Sequence, residues 1–344
     1  MDNLTSILGI KHPIIQAPMY GVTTPEMVAA ANRSGCLGSA ALGDLDYKNS
    51  IEIIRKCKKL TPGIFAVNIF VNDIPPITAE LKSDYNRTKS YLYQLAEKLN
   101  LNVELPEIET IKPSGYQEQI NAVSEENCKI LSFTFGNLDN TTITRLKNNG
   151  TILIGTCTSE SEAQVLLDTG IDIICVQGIE AGGHRGSFKA EGIPKIGGLS
   201  LLQNVKAIAS VPLIYAGGIT GKKAIESVRI LGADGVQVGT SLLCSEESAL
   251  TQAEKQQLLK ADENNIVLTK SFSGRFARGL KNEFIELFEQ SDYILPYPYQ
   301  NKLTGPFRKA ARIAGLTEYV NLWAGQTFRN LSFESTEEIL NRLK

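Results

Sequence analysis

The stretch that decides the fold is AIESVRILGADGVQVG, residues 224–239. A helix-like segment ends at Gly232, and a short apolar run follows it. Glycine tolerates the left-handed backbone of a helix C-cap. A short, nearly all-apolar run is typical of a strand that is buried on both faces of a parallel sheet. The stretch therefore predicts a helix, a glycine cap and a buried strand.

The same pattern recurs in MVAAANRSGCLGSA, TITRLKNNGTILIGT and AQVLLDTGIDIICVQG, where Gly35, Gly150 and Gly170 stand at the expected helix ends. Similar apolar runs occur in PIIQAP, GIFAVNIF, KILSFTF and VPLIYAGG. Together they give eight candidate strands, near residues 13–17, 37–40, 64–69, 129–134, 151–156, 172–177, 212–216 and 234–238.

Alternating strands and helices predict an α/β fold. Eight such units favour a (β/α)8 TIM-type barrel, with an open, doubly wound sheet as the alternative. The helix after the first strand has a clear start, because Thr24 can cap it, Pro25 suits its first turn and Glu26 suits its positive end.

Two regions interrupt the alternation. We expect residues 1–244 to form the barrel with a helical insertion at 73–127. Residues 245–344 are expected to form a mostly helical C-terminal cap, so that the insertions make a smaller capping domain. Active sites of such barrels lie at the C-terminal ends of the strands, and either region could serve as a lid there.

The composition excludes several classes of protein. A net charge of −2 argues against nucleic-acid binding, which usually requires a basic face. No apolar run approaches the ~20 residues that span a bilayer, and the N-terminus has no signal-peptide pattern. The six cysteines form no CxxC pair, so we expect reduced thiols in a cytoplasmic protein. With only two histidines, a metal site is not expected.

The expected C-terminal strand ends are rich in amides. The first strand leads into Ala17, Pro18 and Met19, and the later ones carry Asn68, Gln177 and Gln237. An amide offers both a donor and an acceptor. A pocket lined by amides and glycines therefore suits a flat heterocycle.

Two glycine-containing turns follow the seventh and eighth strands. They contain Gly217 and Gly218, and then Gly239 and Thr240. In barrels these two loops often bind phosphate through backbone N–H groups. The sequence has no GxGxxG or P-loop nucleotide motif. A heterocycle and a single phosphate together suggest FMN as the cofactor.

His184 is the candidate catalytic residue. It lies in QGIEAGGHRG, where Gly182 and Gly183 would bring the loop against the cofactor. A titratable imidazole over a redox ring suits acid–base catalysis. We interpret Arg185 as structural, and also His12, which precedes the first strand at the non-catalytic end.

The motifs VQGIEAGGHRG, AGGITG, ADGVQVGT, QAPM and LSFTFG, with the later YPYQNKLT and WAGQ, resemble those of the nitronate monooxygenases, formerly called 2-nitropropane dioxygenases. The resemblance runs from about residue 5 to past residue 330. It implies a barrel with a smaller capping domain, non-covalent FMN, and oxidation of alkyl nitronates by O2 to a carbonyl compound and nitrite. The flavin contacts that it implies are Asn68, Gln177, Gly182, Gly218, Gln237, Val238, Gly239 and Thr240.

The resemblance also bears on the substrate, a nitronate or nitroalkane. It assigns His184 as base or substrate-positioning group, and Thr134 stands where some relatives carry a second histidine. Tyr297, Tyr299 and Lys302, in an expected C-terminal loop, are candidates for contacting a substrate carboxylate.

Two other functions stay open. One is the activity of an FMN-dependent enoyl-acyl-carrier-protein reductase that uses NADH, because EAGGH also occurs in that enzyme. The other is flavin binding without turnover, or a barrel used as a scaffold. Assembly of the protein as a homodimer also stays open.

Overall fold

A computed structural model describes residues 3–112 and 115–344 of the chain. Eight parallel strands form one sheet: β1 (Ile14–Gln16), β2 (Ser39–Gly43), β3 (Ala66–Phe70), β4 (Ile130–Thr134), β5 (Ile152–Cys157), β6 (Ile173–Gln177), β7 (Leu213–Ala216) and β8 (Gly235–Val238). They are arranged in the order β1-β8-β7-β6-β5-β4-β3-β2. Its two edges meet where Ile15 of β1 pairs in parallel with Leu37, just before β2. The sheet thus closes into the predicted (β/α)8 barrel.

Several helices begin or end at the capping residues that the sequence predicts. Thr24 caps the second helix, with its side chain accepting from the Met27 N–H at 3.1 Å, and Pro25 opens that helix. All four predicted cap glycines have positive φ, between 72° and 105°. The helices are α1 (Asn3–Leu8), α2 (Pro25–Arg33), α3 (Tyr47–Leu60), α4 (Ala79–Lys98), α5 (Tyr116–Glu125), α6 (Asn140–Asn148), α7 (Glu160–Asp168), α8 (Gly198–Ile208), α9 (Lys222–Ile230), α10 (Gln252–Lys260), α11 (Glu283–Glu289), α12 (Tyr299–Ile313) and α13 (Thr336–Asn341).

The barrel interior is apolar towards the N-terminal ends of the strands and more polar towards their C-terminal ends. Towards the N-terminal ends of the strands it is filled by a buried apolar cluster that includes Ile15, Ala66, Ile130 and Ile214, with Leu4 of α1 packed into it. Side chains alternate between the two faces of a strand. Residues two positions further along each strand therefore face the interior nearer its C-terminal end, and this is where polar residues appear.

The chain divides into two compact units. Within the described residues, the first contains 3–72, 115–250 and 325–344, and the second contains 73–112 and 251–324. These limits differ from the expected ones because two helices pack on the barrel core. Ile120 and Val123 of α5, and Ile339 and Leu340 of α13, belong to the same buried cluster as the barrel strands.

The second unit has its own core. A stack of aromatic rings occupies it, with Phe284 4.5 Å from Phe272 and 4.3 Å from Phe288 between ring centroids. Besides helices, it contains a two-stranded antiparallel ladder of β9 (Ile266–Thr269) and β10 (Ala277–Leu280).

All six cysteines of the protein are buried and free. No helix within the described parts of the chain is long and apolar enough to cross a membrane.

Candidate functional site

A polar layer lies at the C-terminal end of the barrel interior. The strand registers pair Asn68 with Ser132, Gln177 with Ala216 and Ala216 with Gln237. Residues paired across parallel strands face the same side of the sheet. The three predicted amides are therefore brought to one face, where Asn68 donates to the Ser132 hydroxyl at 2.9 Å. The arrangement offers donors and acceptors at the mouth of the barrel.

The side chain of Gln177 also fixes the segment that carries the histidine. Its Nε2 donates to the His184 carbonyl at 3.1 Å, and its Oε1 accepts from the Gly186 N–H at 2.8 Å. Gly183 takes a φ of +73°, which glycine adopts without steric cost. We call residues 178–186 the His184 loop. The Gln177 amide therefore holds the backbone of the loop at His184 and at Gly186.

Arg185 holds the same loop through hydrogen bonds to backbone carbonyls. Its guanidinium, in a side chain only 3% exposed, donates to the carbonyls of Thr158 at 3.1 Å and Pro194 at 3.3 Å, and also to that of Gln177. These backbone contacts support the structural interpretation of this residue. The neighbouring His184 is less buried than Arg185.

Two aromatic rings line one side of His184. The Phe135 ring centroid is 5.6 Å from that of the imidazole, in an edge-on geometry, and the Phe70 centroid is at 6.4 Å. Phe135 has a φ of +79°, which is uncommon for a residue other than glycine. Such backbone strain often accompanies function. Sequence reasoning missed both rings, and the only available signal was their position at the ends of β3 and β4.

Thr134 ends β4 beside the His184 loop. Its hydroxyl is 3.4 Å from the Gly186 carbonyl, and a Cβ on Gly186 would lie 2.5 Å from that hydroxyl. The glycine is therefore required for this close approach. The structure brings Thr134, His184 and Gln177 to one end of the barrel.

The two predicted phosphate turns lie at the same end. Gly217 and Gly218 take φ values of +130° and +67° directly after β7. Gly239 precedes a 3-10 turn, Thr240–Leu242, that has no side-chain cap at its start. The Thr240 hydroxyl accepts from the Gly325 N–H at 3.0 Å.

The segment that contains Ala17, Pro18 and Met19 adjoins the second of these turns. A Cβ on Gly239 would lie 3.3 Å from the Ala17 Cβ and 3.4 Å from the Met19 sulfur. Gly182 is also close, because a Cβ on Gly325 would lie 3.1 Å from its N atom. The predicted cofactor residues that the structure describes here thus all come from the barrel unit.

The candidates Tyr297, Tyr299 and Lys302 lie in the second unit. The prediction of a loop is wrong for Tyr299 and Lys302, because both lie in α12. The sequence signal was the four-residue spacing of Tyr299, Leu303 and Phe307, which buries one helix face. The Tyr299 hydroxyl donates to the Pro75 carbonyl at 2.7 Å, and this contact argues for a packing role.

Sequence reasoning also missed a pair formed by Glu180, in the His184 loop, and Tyr215, on β7. The Tyr215 hydroxyl donates to Glu180, and burial, with this bond, raises the pKa of Tyr215 well above its ordinary value. The phenol therefore remains a donor at neutral pH. Among the described residues, no three His, Cys, Asp or Glu side chains are grouped so that they could hold a metal ion.

Comparison with known proteins gives one consistent result. The nitronate monooxygenase family model matches residues 1–344. A probable nitronate monooxygenase of Staphylococcus haemolyticus (strain JCSC1435) is 37% identical over 346 residues, covering 99% of this chain and 96% of its own. One of Staphylococcus aureus (strain JH9) is 36% identical over 345 residues, with the same coverage.

Solved structures agree with this result. The structure of a nitroalkane oxidase from Streptomyces ansochromogenes aligns with a TM-score of 0.89 and 32% identity, covering 99% of this chain and 96% of that one. FabK from Thermotoga maritima aligns with a TM-score of 0.76 at 23% identity, over 99% of this chain and 94% of its own, which supports the barrel fold alone. The chain belongs to the nitronate monooxygenase family, a family of oxidoreductases.

Proposed function

We propose that this protein oxidises alkyl nitronates with O2, giving a carbonyl compound and nitrite, and that it does so with FMN at the C-terminal end of the barrel. Membership of the family supports nitronate oxidation in general. The observation that carries the specific proposal is the position of His184. Its partly buried imidazole lies at the mouth of the barrel, where Gln177 holds the backbone at His184 and Gly186.

The side chains and turns at this end fit FMN. Asn68, Gln177 and Gln237 would face the flavin heterocycle, because amides match its alternating donors and acceptors. The turns at Gly217–Gly218 and Gly239–Thr240 would hold the single phosphate through backbone N–H groups, with the segment at Ala17–Met19 beside the second turn. Bound FMN would supply the capacity to accept electrons from the nitronate and pass them to O2.

The role of the chain is to hold the substrate and to manage its proton. We assign His184 as the base that removes the α-proton of a neutral nitroalkane. In its protonated form, the same imidazole would bind the nitronate oxygens. Phe70 and Phe135 restrict the imidazole on one side, and the Thr134 hydroxyl stands near the same loop. These rings would also exclude water from the alkyl part of a substrate.

The test is a comparison of two substrates with the variant His184→Asn. An asparagine retains some hydrogen bonding and takes up no proton at neutral pH. Turnover of a neutral nitroalkane should fall by roughly two to four orders of magnitude, the usual contribution of a general base. Turnover of the pre-formed nitronate should fall far less, because no proton is removed.

The matched control is His12→Asn, at the other histidine of the chain. His12 lies before β1, at the opposite end of the barrel from the site, so both activities should stay at the wild-type level. Equal losses for the two substrates in His184→Asn would assign the imidazole to anion binding. Wild-type rates in that variant would refute any catalytic role of His184.

A further inference from the structure

The carboxylate of Glu180 joins two elements of the barrel unit. The hydroxyl of Tyr215, on β7, donates to Glu180 Oε1. The N–H of Gly198, the first residue of α8, donates to Oε2 at 3.0 Å. Both carboxylate oxygens therefore have a donor, one from a strand and one from a helix. A hydrogen bond to an ionised group is stronger than one between neutral groups.

Glycines make room for this side chain. A Cβ on Gly198 would collide with Glu180 Oε1 and with the Tyr215 hydroxyl, and one on Gly178 would lie 2.5 Å from the same carboxylate oxygen. On the other side, the Glu180 Cγ is 3.2 Å from the place of a Cβ on Gly217. Glycines from the His184 loop, from the start of α8 and from the turn after β7 therefore enclose one glutamate.

The backbone of Glu180 is held as well. Its carbonyl accepts from the Gln326 N–H at 3.0 Å. The neighbouring Ala181 N–H donates back to the Gly178 carbonyl at 3.2 Å. Glu180 is thus fixed through both its side chain and its backbone, four residues before His184 in the same loop.

We propose that Glu180 and Tyr215 are positioning residues that anchor the first half of the His184 loop and thereby place the imidazole. The effect on turnover rests on the proposed role of His184. Gln177 holds the loop at the histidine itself, and the Glu180 anchor holds the loop where it leaves β6. Loss of the anchor should let the loop shift, and a displacement of about 1 Å can lower a rate by roughly a hundredfold.

The first test removes the donor with Tyr215→Phe. The rate constant for a neutral nitroalkane should fall by roughly ten- to a hundredfold, while flavin content stays at the wild-type level. Glu180→Gln is the conservative partner variant, because it keeps the shape of the side chain but turns one acceptor into a donor. We expect a smaller loss in the same direction.

The matched control is Tyr319→Phe. Tyr319 also donates to a glutamate, Glu283, but both residues lie in the second unit. This variant removes the same chemical contact from a different place and should leave turnover unchanged. A loss equal to that of Tyr215→Phe would overturn the inference, because the effect would not be specific to the His184 loop.

A double variant separates positioning from a general structural effect. If the pair acts through the imidazole, Tyr215→Phe should add little loss when His184 is already asparagine. A full additional loss in the double variant would show that Tyr215 acts independently of His184, and would overturn the inference.

Hydrogen exchange tests the anchor without any turnover. In Tyr215→Phe and Glu180→Gln, the amides of residues 178–186 should exchange faster, while those of α12 should not change. Unchanged exchange in the loop would overturn the inference even if activity fell. Wild-type activity of His184→Asn would refute the proposed function instead, and the exchange rates would then decide on the anchor alone.

Discussion

Replacement of Arg185 by methionine tests the division of roles within the His184 loop. The guanidinium donates to three backbone carbonyls, those of Gln177, Thr158 and Pro194, and the side chain is almost fully buried. Methionine keeps much of the apolar stem but supplies no donor. The carbonyls would then lose a charged partner in a region with little access to water.

The expected cost follows from the number of contacts. A hydrogen bond to a charged group contributes about 1.5–3 kcal/mol. The three bonds share one guanidinium and do not add fully, and the structure can relax in part. We expect Arg185→Met to lower the free energy of unfolding by about 3–5 kcal/mol, a large part of the ~5–15 kcal/mol that holds a typical protein folded.

Urea unfolding followed by circular dichroism measures this loss, through the shift of the midpoint at constant slope. The control is Arg33→Met, because Arg33 forms an ion pair with Glu337 at 2.9 Å with 58% of its side chain exposed. An exposed pair contributes under about 1 kcal/mol. Equal losses in the two variants would refute the structural role of Arg185.

Three further predictions concern the barrel unit and the thiols. Gly239→Asp should weaken FMN retention, because like charges repel at the phosphate turn; Gly115→Asp, in open space at the start of α5, is the control, and wild-type flavin content in Gly239→Asp would place the phosphate elsewhere. Asp139→Ala removes the N-cap of α6 and should lower the free energy of unfolding by about 1–2 kcal/mol at pH 7. Hydrogen bonds, chiefly from Thr142, hold the pKa of Asp139 at about 2, below its ordinary 3.8. Its contribution is therefore complete above pH 3.8 and is lost as the pH falls through about 2; a difference that persisted at lower pH would contradict this. Burial raises the pKa of the Cys175 thiol to about 12, and since all six cysteines are buried, a thiol reagent should modify the native protein slowly and the unfolded protein at six sites; fast modification of the native protein would be inconsistent with the fold.

The barrel could be predicted from the sequence because its signals are local. Each of Gly35, Gly150, Gly170 and Gly232 marks a helix end by a backbone conformation that other residues rarely adopt, and each strand that follows is a short apolar run. The three amides were found for the same reason, since each stands at the end of such a run. Closure of the sheet then fixes which face they share.

The contacts that shape the loop could not be predicted in this way. Glu180 and Tyr215 are 35 residues apart in sequence, and only the pairing of β6 with β7 brings them together. Phe135 adopts a positive φ that its residue type does not indicate. Gly217, which the sequence predicts in a phosphate turn, also adjoins the Glu180 side chain.

The limits of the two units also depend on distant packing. The helix α5 lies within the segment 73–127 that is expected as an insertion, and its sequence pattern does not indicate which core it joins. Its buried Ile120 and Val123 lie in the barrel cluster. In the sequence, Pro298 and Pro306 argue against a helix at the position of α12. In the structure, Pro306 nevertheless lies within that helix.

In the proposed reaction, electrons pass from a nitronate to FMN held by this chain without a nicotinamide. Anaerobic mixing of the FMN-loaded protein with propyl nitronate, followed by visible absorbance, measures this electron transfer itself. We expect the flavin absorbance to bleach without NADH, and to return with release of nitrite when O2 is admitted. An absorbance that is unchanged by the nitronate but bleached by NADH would contradict the proposed function and favour the enoyl reductase activity.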